Sequence, residues 1–270
     1  MNIQWFPGHM AKAKRLIEEN LKQVDAVCVV LDARLPRASL NPELDALAER
    51  KPFLYVLCRD DLADPKVTAL WLNEFRASGK SAVAVDAKSG AGVNAIHAAV
   101  RGLLKDKLAS RAEKGQSGRA IRLMAAGIPN VGKSSLINRL SGRKPAKTED
   151  RPGVTRGKQW IDIGKGLLLL DTPGVLPPKL SDRDEALNLA FTGAIRDRIL
   201  DTEELASLLC QRIKDLPEFV ARCKADNLED IAIARGCLAK GGVPDTERMA
   251  ALILDEFRAG KFGRISLEVP

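Results

Sequence analysis

Gly127-Ile-Pro-Asn-Val-Gly132-Lys133-Ser134 decides how this chain is read. The stretch fits G-x-x-x-x-G-K-[ST] at every fixed position. It follows an apolar run at 120–126 and precedes Ser135-Leu-Ile-Asn-Arg-Leu140, a helical pattern. A strand that turns through glycine into a helix points backbone N–H groups at an anion. Here the groups from Gly127 through Asn130, Val131 and Gly132 to Ser135 would surround the phosphates of a nucleotide. Lys133 would reach the β and γ oxygens, and the Ser134 hydroxyl would bind Mg2+. A plain glycine turn needs neither the lysine nor the serine.

Downstream, Leu167-Leu-Leu-Leu-Asp171-Thr-Pro-Gly174 reads as a strand running into D-x-x-G. Asp171 would hold Mg2+ through water, and the Gly174 N–H would touch the γ-phosphate. Between the two motifs, Pro152-Gly153-Val154-Thr155 lies in a segment of mobile character at 147–156. Thr155 is the candidate for a second hydroxyl on Mg2+, or else a turn threonine. Residues 158–163 and 166–170 flank Gly164-Lys165-Gly166, a hairpin signal.

Upstream, apolar runs at 24–31, 53–57 and 81–85 suit buried parallel strands. Helical patterns at 10–22, after Asn41-Pro42, at 67–76 behind Pro65, and at 92–108 alternate with them. Residues 111–119 are polar and glycine-rich and read as a linker. Alternation of this kind predicts a three-layer α/β fold with a mostly parallel sheet. After Pro177-Pro178 the pattern changes to amphipathic helices without a convincing strand. The boundaries expected are 1–179 for an α/β domain and 180–270 for a small all-α domain.

Composition agrees with this plan. The 270 residues are 45% hydrophobic, 29% charged and 4% aromatic, which is enough apolar content for a core and too much for disorder. The longest apolar runs fall short of the roughly 20 residues of a membrane span. The first ten residues lack the basic start and apolar stretch of a signal peptide. Five cysteines (Cys28, Cys58, Cys210, Cys223, Cys237) with no C-x-x-C spacing suit a reduced, cytoplasmic protein. The net charge of +8 is uneven: residues 101–158 hold 15 Lys/Arg against 4 Asp/Glu, and the remainder is net negative. Such a segment attracts polyphosphate or nucleic acid, or serves as a solvated surface.

A GTPase also needs [NT]-K-x-D after a strand, where the aspartate takes guanine N1 and N2 hydrogens. Two degenerate candidates compete: Cys58-Arg59-Asp60-Asp61, upstream of the phosphate loop, and Cys223-Lys-Ala-Asp226, downstream. Cys58 ends the apolar strand at 53–57 and precedes a helix entry. The strand at 81–85 then ends in Asp86-Ala87-Lys88-Ser-Gly90, whose Ala87 N–H could meet guanine O6. Cys223 follows a helical pattern instead. The upstream candidate is therefore favoured. The motif order becomes base, base turn, phosphate loop, switch, D-x-x-G, the order of a circularly permuted GTPase.

In this order the sequence resembles the circularly permuted GTPases of ribosome assembly, the bacterial ribosome-biogenesis GTPase A (YlqF-type) family. The resemblance rests on Trp5-Phe-Pro-Gly-His-Met-Ala-Lys12, Asp32-Ala-Arg34, the phosphate loop, Asp150-Arg-Pro-Gly-Val-Thr155, Asp171-Thr-Pro-Gly174, Thr192-Gly-Ala-Ile195 and Lys261-Phe-Gly-Arg264. It implies a P-loop GTPase domain that binds GTP and GDP with Mg2+. It also implies hydrolysis of GTP during a late step of large-subunit maturation, and a helical domain that contacts ribosomal RNA. A monomer in the free state is expected. Arg183, Arg196, Arg198, Arg212, Lys214, Arg222, Lys224, Lys261 and Arg264 could form the RNA face, or a solvated one.

The chain departs from the family pattern at Cys58 and Arg59, where Asn and Lys are usual. Arg59 can stack on a base. Cys58 is a poor hydrogen-bonding partner, and losing one or two such bonds costs about 1–3 kcal/mol. A second reading follows, a catalytically weak, nucleotide-gated RNA-binding module with relaxed base specificity. Val175 and Leu176 follow Gly174 where many GTPases carry a water-orienting glutamine. His9 could complete the site, or make a structural or RNA contact. Asn130 resembles the asparagine that helps bind K+ in potassium-activated GTPases, which implies faster hydrolysis in K+ than in Na+. His97 lies in an amphipathic helix and reads as structural.

Overall fold

The computed structural model describes residues 15, 17–116, 118–142, 160–176, 182–195 and 201–270. Six strands form one sheet: β1 (Ala26–Asp32), β2 (Phe53–Cys58), β3 (Ser81–Val85), β4 (Ile121–Gly127), β5 (Trp160–Asp162) and β6 (Leu167–Asp171). Their order across the sheet is β3-β2-β1-β4-β6-β5. All neighbours are parallel except β5 and β6, the expected hairpin. Gly164, Lys165 and Gly166 turn it, all with positive φ. The two central strands, β1 and β4, are far apart in the chain, and β4 carries the phosphate loop.

Side chains along β1 alternate between two cores, as a strand buried on both faces requires. Ala26, Cys28 and Val30 join Leu54, Val56, Leu123, Ala125, Leu167 and Leu169 in one core. Val27, Val29 and Leu31 join Tyr55, Leu57, Met124, Trp71 and Phe75 in the other. Each fully buried aliphatic side chain contributes about 1.5–3 kcal/mol.

Helices cover both faces. The short α1 (Pro36–Ser39) and α2 (Pro42–Asp45) follow β1, and α3 (Pro65–Ala77) lies between β2 and β3. Pro65 occupies the first turn of α3, and the Asp64 side chain accepts hydrogen bonds from the N–H groups of Lys66 and Val67. The helical pattern at 92–108 becomes two helices, α4 (Val93–Leu103) and α5 (Lys105–Glu113), which part at Leu104. Helix thus runs into the stretch expected to be a linker from 111. Only the glycine-rich end of that stretch falls outside helix among its described residues. Gly92 precedes α4 with φ 76°, and a Cβ there would lie 2.1 Å from the Ala84 carbonyl oxygen. Helix α6 (Lys133–Ser141) follows the phosphate loop.

Beyond β6 the named elements are all helices: α7 (Arg183–Phe191), α8 (Thr202–Ile213), α9 (Pro217–Cys223), α10 (Leu228–Ala234) and α11 (Thr246–Arg258). Leu189, Phe191, Leu205, Leu209, Phe219, Ile253 and Phe262 continue the first core without a break. The residues after α11 then return to the sheet. The Leu267 N–H donates to the Arg34 carbonyl at 2.7 Å, and the Ile265 N–H to the Leu62 carbonyl at 2.8 Å. No described helix is long and apolar enough to cross a membrane.

Candidate functional site

Parallel strands put their carboxyl ends along one edge, where open α/β sheets bind ligands. The register brings the motifs together there. Asp32 pairs with Cys58, Cys58 with Val85, Val30 with Gly127, and Ala125 with Asp171.

The phosphate loop leaves β4 at Gly127, where a Cβ would fall 2.5 Å from the Val30 carbonyl oxygen. Ile128 and Val131 are buried and anchor the loop from below. Asn130 (φ 59°) and Gly132 (φ 102°) take the left-handed conformation that turns the chain into α6. Ser134 and Ser135 are exposed in its first turn. The D-x-x-G turn lies flat on this loop. Thr172 Oγ1 donates to the Ala125 carbonyl at 2.7 Å, and the Val175 N–H donates to the Gly127 carbonyl at 3.0 Å. A Cβ on Gly174 would stand 2.8 Å from the Pro129 nitrogen, so only glycine permits the contact. The Lys133 ammonium pairs with the Asp171 carboxylate.

The Cys58–Asp61 loop borders the phosphate loop. A Cβ on Gly132 would lie 3.3 Å from Cys58 Cβ and 3.8 Å from Arg59 Cγ. Arg59 is left-handed (φ 60°), and its guanidinium reaches 3.6 Å from the Asp32 carboxylate. Asp32 is buried and accepts from Arg34 Nε at 3.0 Å and Nη2 at 2.8 Å. Burial opposes its charge, yet the Arg34 guanidinium holds the carboxyl below the usual carboxylate range. Burial pushes the Cys58 thiol far up, so it is a neutral thiol. Asp61 pairs with Lys88 Nζ at 3.1 Å. Asp86 accepts from the N–H groups of Lys88 at 2.7 Å and Ser89 at 3.1 Å, which closes the turn around Ala87. Burial works against the Asp86 charge, but these donors keep its carboxyl low.

The downstream alternative takes a different place. Cys223 ends α9, fully buried in the helical part of the core. His9 and Thr155 lie outside the described residues. His97 is buried on α4 with Nε2 3.0 Å from the Ile163 carbonyl oxygen, a structural position.

Several contacts were not legible in the motifs. Asn130 Nδ2 donates to the Gly193 carbonyl at 2.7 Å, tying the phosphate loop to Thr192-Gly-Ala-Ile195. The Asp32–Arg34 pair makes the D-x-R spacing a buried ion pair, with the guanidinium also 5.5 Å from the Phe257 ring centre. Arg264, an RNA candidate in the sequence, instead donates from Nε to the Ala63 carbonyl and from Nη2 to the Asp60 carbonyl, both at 2.6 Å. Likewise Arg222 is bound to Glu256, and Arg212 donates to the Leu267 carbonyl. The signal for these contacts was present only as short basic or glycine motifs with no partner in view.

The residues present fit a magnesium nucleotide. Hard oxygen donors, the Ser134 hydroxyl and Asp171 carboxylate, flank an ammonium group over a glycine cradle that a Cβ would fill. Comparison with known proteins places the arrangement. The family model described as "50S ribosome-binding GTPase" matches residues 122–230, beginning at β4 and leaving β1–β3 outside it. The chain is 43% identical to Ribosome biogenesis GTPase A of Bacillus cereus, over the whole of this chain and 95% of that protein. It is 44% identical to the protein of the same name from Priestia megaterium, over all of this chain and 98% of the other. A crystal structure of GNP-bound YlqF from T. maritima superposes with a TM-score of 0.68 at 30% identity, covering 96% of this chain and 98% of that one. The permuted strand order, the phosphate loop and full-length identity at this level together make the chain a member of the ribosome biogenesis GTPase A family.

Proposed function

We propose that this protein is a GTPase that engages the immature large ribosomal subunit and uses GTP hydrolysis to time a late step of its assembly. One observation carries the nucleotide reading: Cys58 and Arg59 pack directly against Gly132, joining the base-reading loop to the phosphate loop across the permuted chain. Residues 1–179 form the GTP-binding domain. Residues 180–270 form the helical domain that faces ribosomal RNA, and the protein acts as a cytoplasmic monomer until it meets the subunit.

Each residue has a part in that reading. Asp61 takes the guanine N1 and N2 hydrogens, and the Ala87 N–H meets O6. The Arg59 side chain flanks the base, beside Cys58 and Asp60. The turn of Asp86 and Lys88 holds Asp61 from the other side. Backbone groups from Gly127 to Ser135 hold the phosphates, while Lys133 leaves Asp171 to neutralise the β and γ oxygens. Ser134, Thr155 and, through water, Asp171 hold Mg2+, which supplies positive charge against the leaving oxygen. Gly174 donates its N–H to the γ-phosphate. Water attacks the γ-phosphorus, the bond to the bridging oxygen breaks, and GDP and phosphate leave.

Val175 and Leu176 cannot orient the water, so the free protein is slow. His9, together with a K+ ion held by Asn130, completes the site on the subunit. Because the Asn130 amide nitrogen already donates to Gly193, its carbonyl oxygen is the atom left to meet a cation. The segment 147–156 acts as the switch that the γ-phosphate and Mg2+ would engage and hydrolysis would let go.

Competition among GDP, ADP and XDP at fixed Mg2+ tests the base reading. GDP should win in the wild-type protein, and Asp61→Asn should turn the preference toward XDP, because an amide can donate to the xanthine O2. Equal affinities would overturn base reading and favour the nucleotide-gated RNA-binding module. Turnover should rise when large-subunit precursors are added, and a rate indifferent to them would remove the assembly role.

A further inference from the structure

The turn that carries Asp61 has little local support. It is a single 3-10 turn, Asp60–Leu62, entered through the left-handed Arg59. Its own bonds are Leu62 N–H to the Arg59 carbonyl at 2.9 Å and Ala63 N–H to the Asp60 carbonyl at 3.3 Å. The second is long, and a turn of this kind holds its shape poorly alone.

Its support comes from the far end of the chain. The Arg264 guanidinium forks over two carbonyls of the turn, those of Asp60 and Ala63, with both bonds at 2.6 Å. The same group stands 3.8 Å from the Asp60 carboxylate. The Ile265 N–H donates to the Leu62 carbonyl, and Ser266 Oγ accepts from the Asp64 N–H at 3.1 Å. Gly260 packs on Leu62 so closely that a Cβ would lie 2.5 Å from its Cδ2. The carbonyl side of the turn is thus occupied by residues 260–266. Opposite, the Asp61 carboxylate points toward Lys88.

We infer that Arg264 is a positioning residue for guanine: it fixes the turn so that the Asp61 carboxylate presents two oxygens in the plane of the base. The inference rests on the base-reading role proposed for Asp61. A planar, bidentate bond to guanine N1 and N2 depends steeply on angle, and a guanidinium fork sets two carbonyls at once in a way a lysine cannot. The backbone shift that follows loss of the fork would rotate Asp61 about its own turn. The phosphate loop has no bond to Arg264, so phosphate affinity is independent of it.

The test measures affinities of GDP, IDP (whose hypoxanthine lacks the N2 amino group) and inorganic tripolyphosphate for wild type, Arg264→Ala and Arg264→Lys. Wild type should prefer GDP to IDP. Arg264→Ala should lower that ratio about tenfold while tripolyphosphate affinity stays unchanged. Arg264→Lys should recover part of the ratio. An unchanged ratio overturns the inference, as does an equal fall for GDP and tripolyphosphate, which marks general loosening. If Arg264→Ala does not fold, Arg264→Lys and Ser266→Ala carry the same ratio test. A wild type that does not prefer GDP to IDP removes Asp61 as the base reader, and with it both readings. A wild type with the preference and a variant that keeps it removes only this one.

Discussion

The two ends of the proposed nucleotide site are built differently. The phosphate end is held by short-range backbone contacts that tolerate nothing but glycine: Gly127 against the Val30 carbonyl and Gly174 against Pro129. The base end has Cys58 and Arg59 where the resemblance implies Asn and Lys, and its turn is bonded by residues 260–266. A close backbone approach leaves its signature as a glycine inside the motif itself. A turn held by a distant side chain leaves none in its own sequence.

Four experiments would break or sharpen this contrast. Lys133→Ala removes the ammonium that pairs with Asp171 and would meet the phosphates. GTP, GDP and tripolyphosphate affinities should all fall about a hundredfold, measured by titration, with the GDP-to-IDP ratio unchanged. A changed ratio would mean that the two ends are not separable.

Glu256 should come next. It is 5% exposed and accepts from Arg222 at 3.0 Å and Arg235 at 2.9 Å, with the Lys261 ammonium 3.9 Å away. Burial works against its charge, but the two guanidinium groups lower its pKa to about 2. Glu256→Gln should therefore cost about 2 kcal/mol in urea denaturation near neutral pH, by stranding these cations. A depressed pKa means the stabilisation is full above the ordinary value of 4.5 and fades as pH falls toward 2. The gap between variant and wild type should close over that interval, and a constant gap would refute the assignment.

Gly174→Ala should push the D-x-x-G turn off Pro129. GTP affinity should drop about tenfold while GDP, which lacks the γ-phosphate, is nearly unaffected. An equal loss for both would show that the turn supports the whole loop. The smallest effect expected is a gain. Cys58→Asn restores an amide beside the base, which should strengthen GDP about fivefold and leave tripolyphosphate alone. No gain would mean that Arg59 and its Asp32 partner already satisfy the site.

Much of the fold was legible in the sequence because its signals are periodic. The strand at 81–85 matches β3 residue for residue, and the runs at 24–31 and 53–57 locate β1 and β2 to within two residues at either end. The helix break at Leu104 was not legible, because Leu104 and Lys105 carry no turn chemistry. Residues chosen for the site by motif do gather at one sheet edge, except for His9 and Thr155, which lie outside the described residues. The carbonyl bonds of Arg264 were not legible, because charge alone does not distinguish a solvated or RNA-facing arginine from one that also bonds carbonyls elsewhere in the chain. Asn130 was read toward a cation, with no hint that its amide also reaches Gly193.

The permuted strand order also bears on how the protein is made. The middle of the sheet joins β1, near the start of the chain, to β4, almost a hundred residues later. Until residue 121 has been synthesised, the inner edge of β1 is an open row of backbone donors and acceptors. The turn around Asp61 is synthesised still longer before Arg264, which closes over it last. Folding must therefore wait on later residues twice, on β4 to seal the sheet and on Arg264 to close the turn around Asp61. A nascent chain could gain its phosphate loop well before it gains its choice of base.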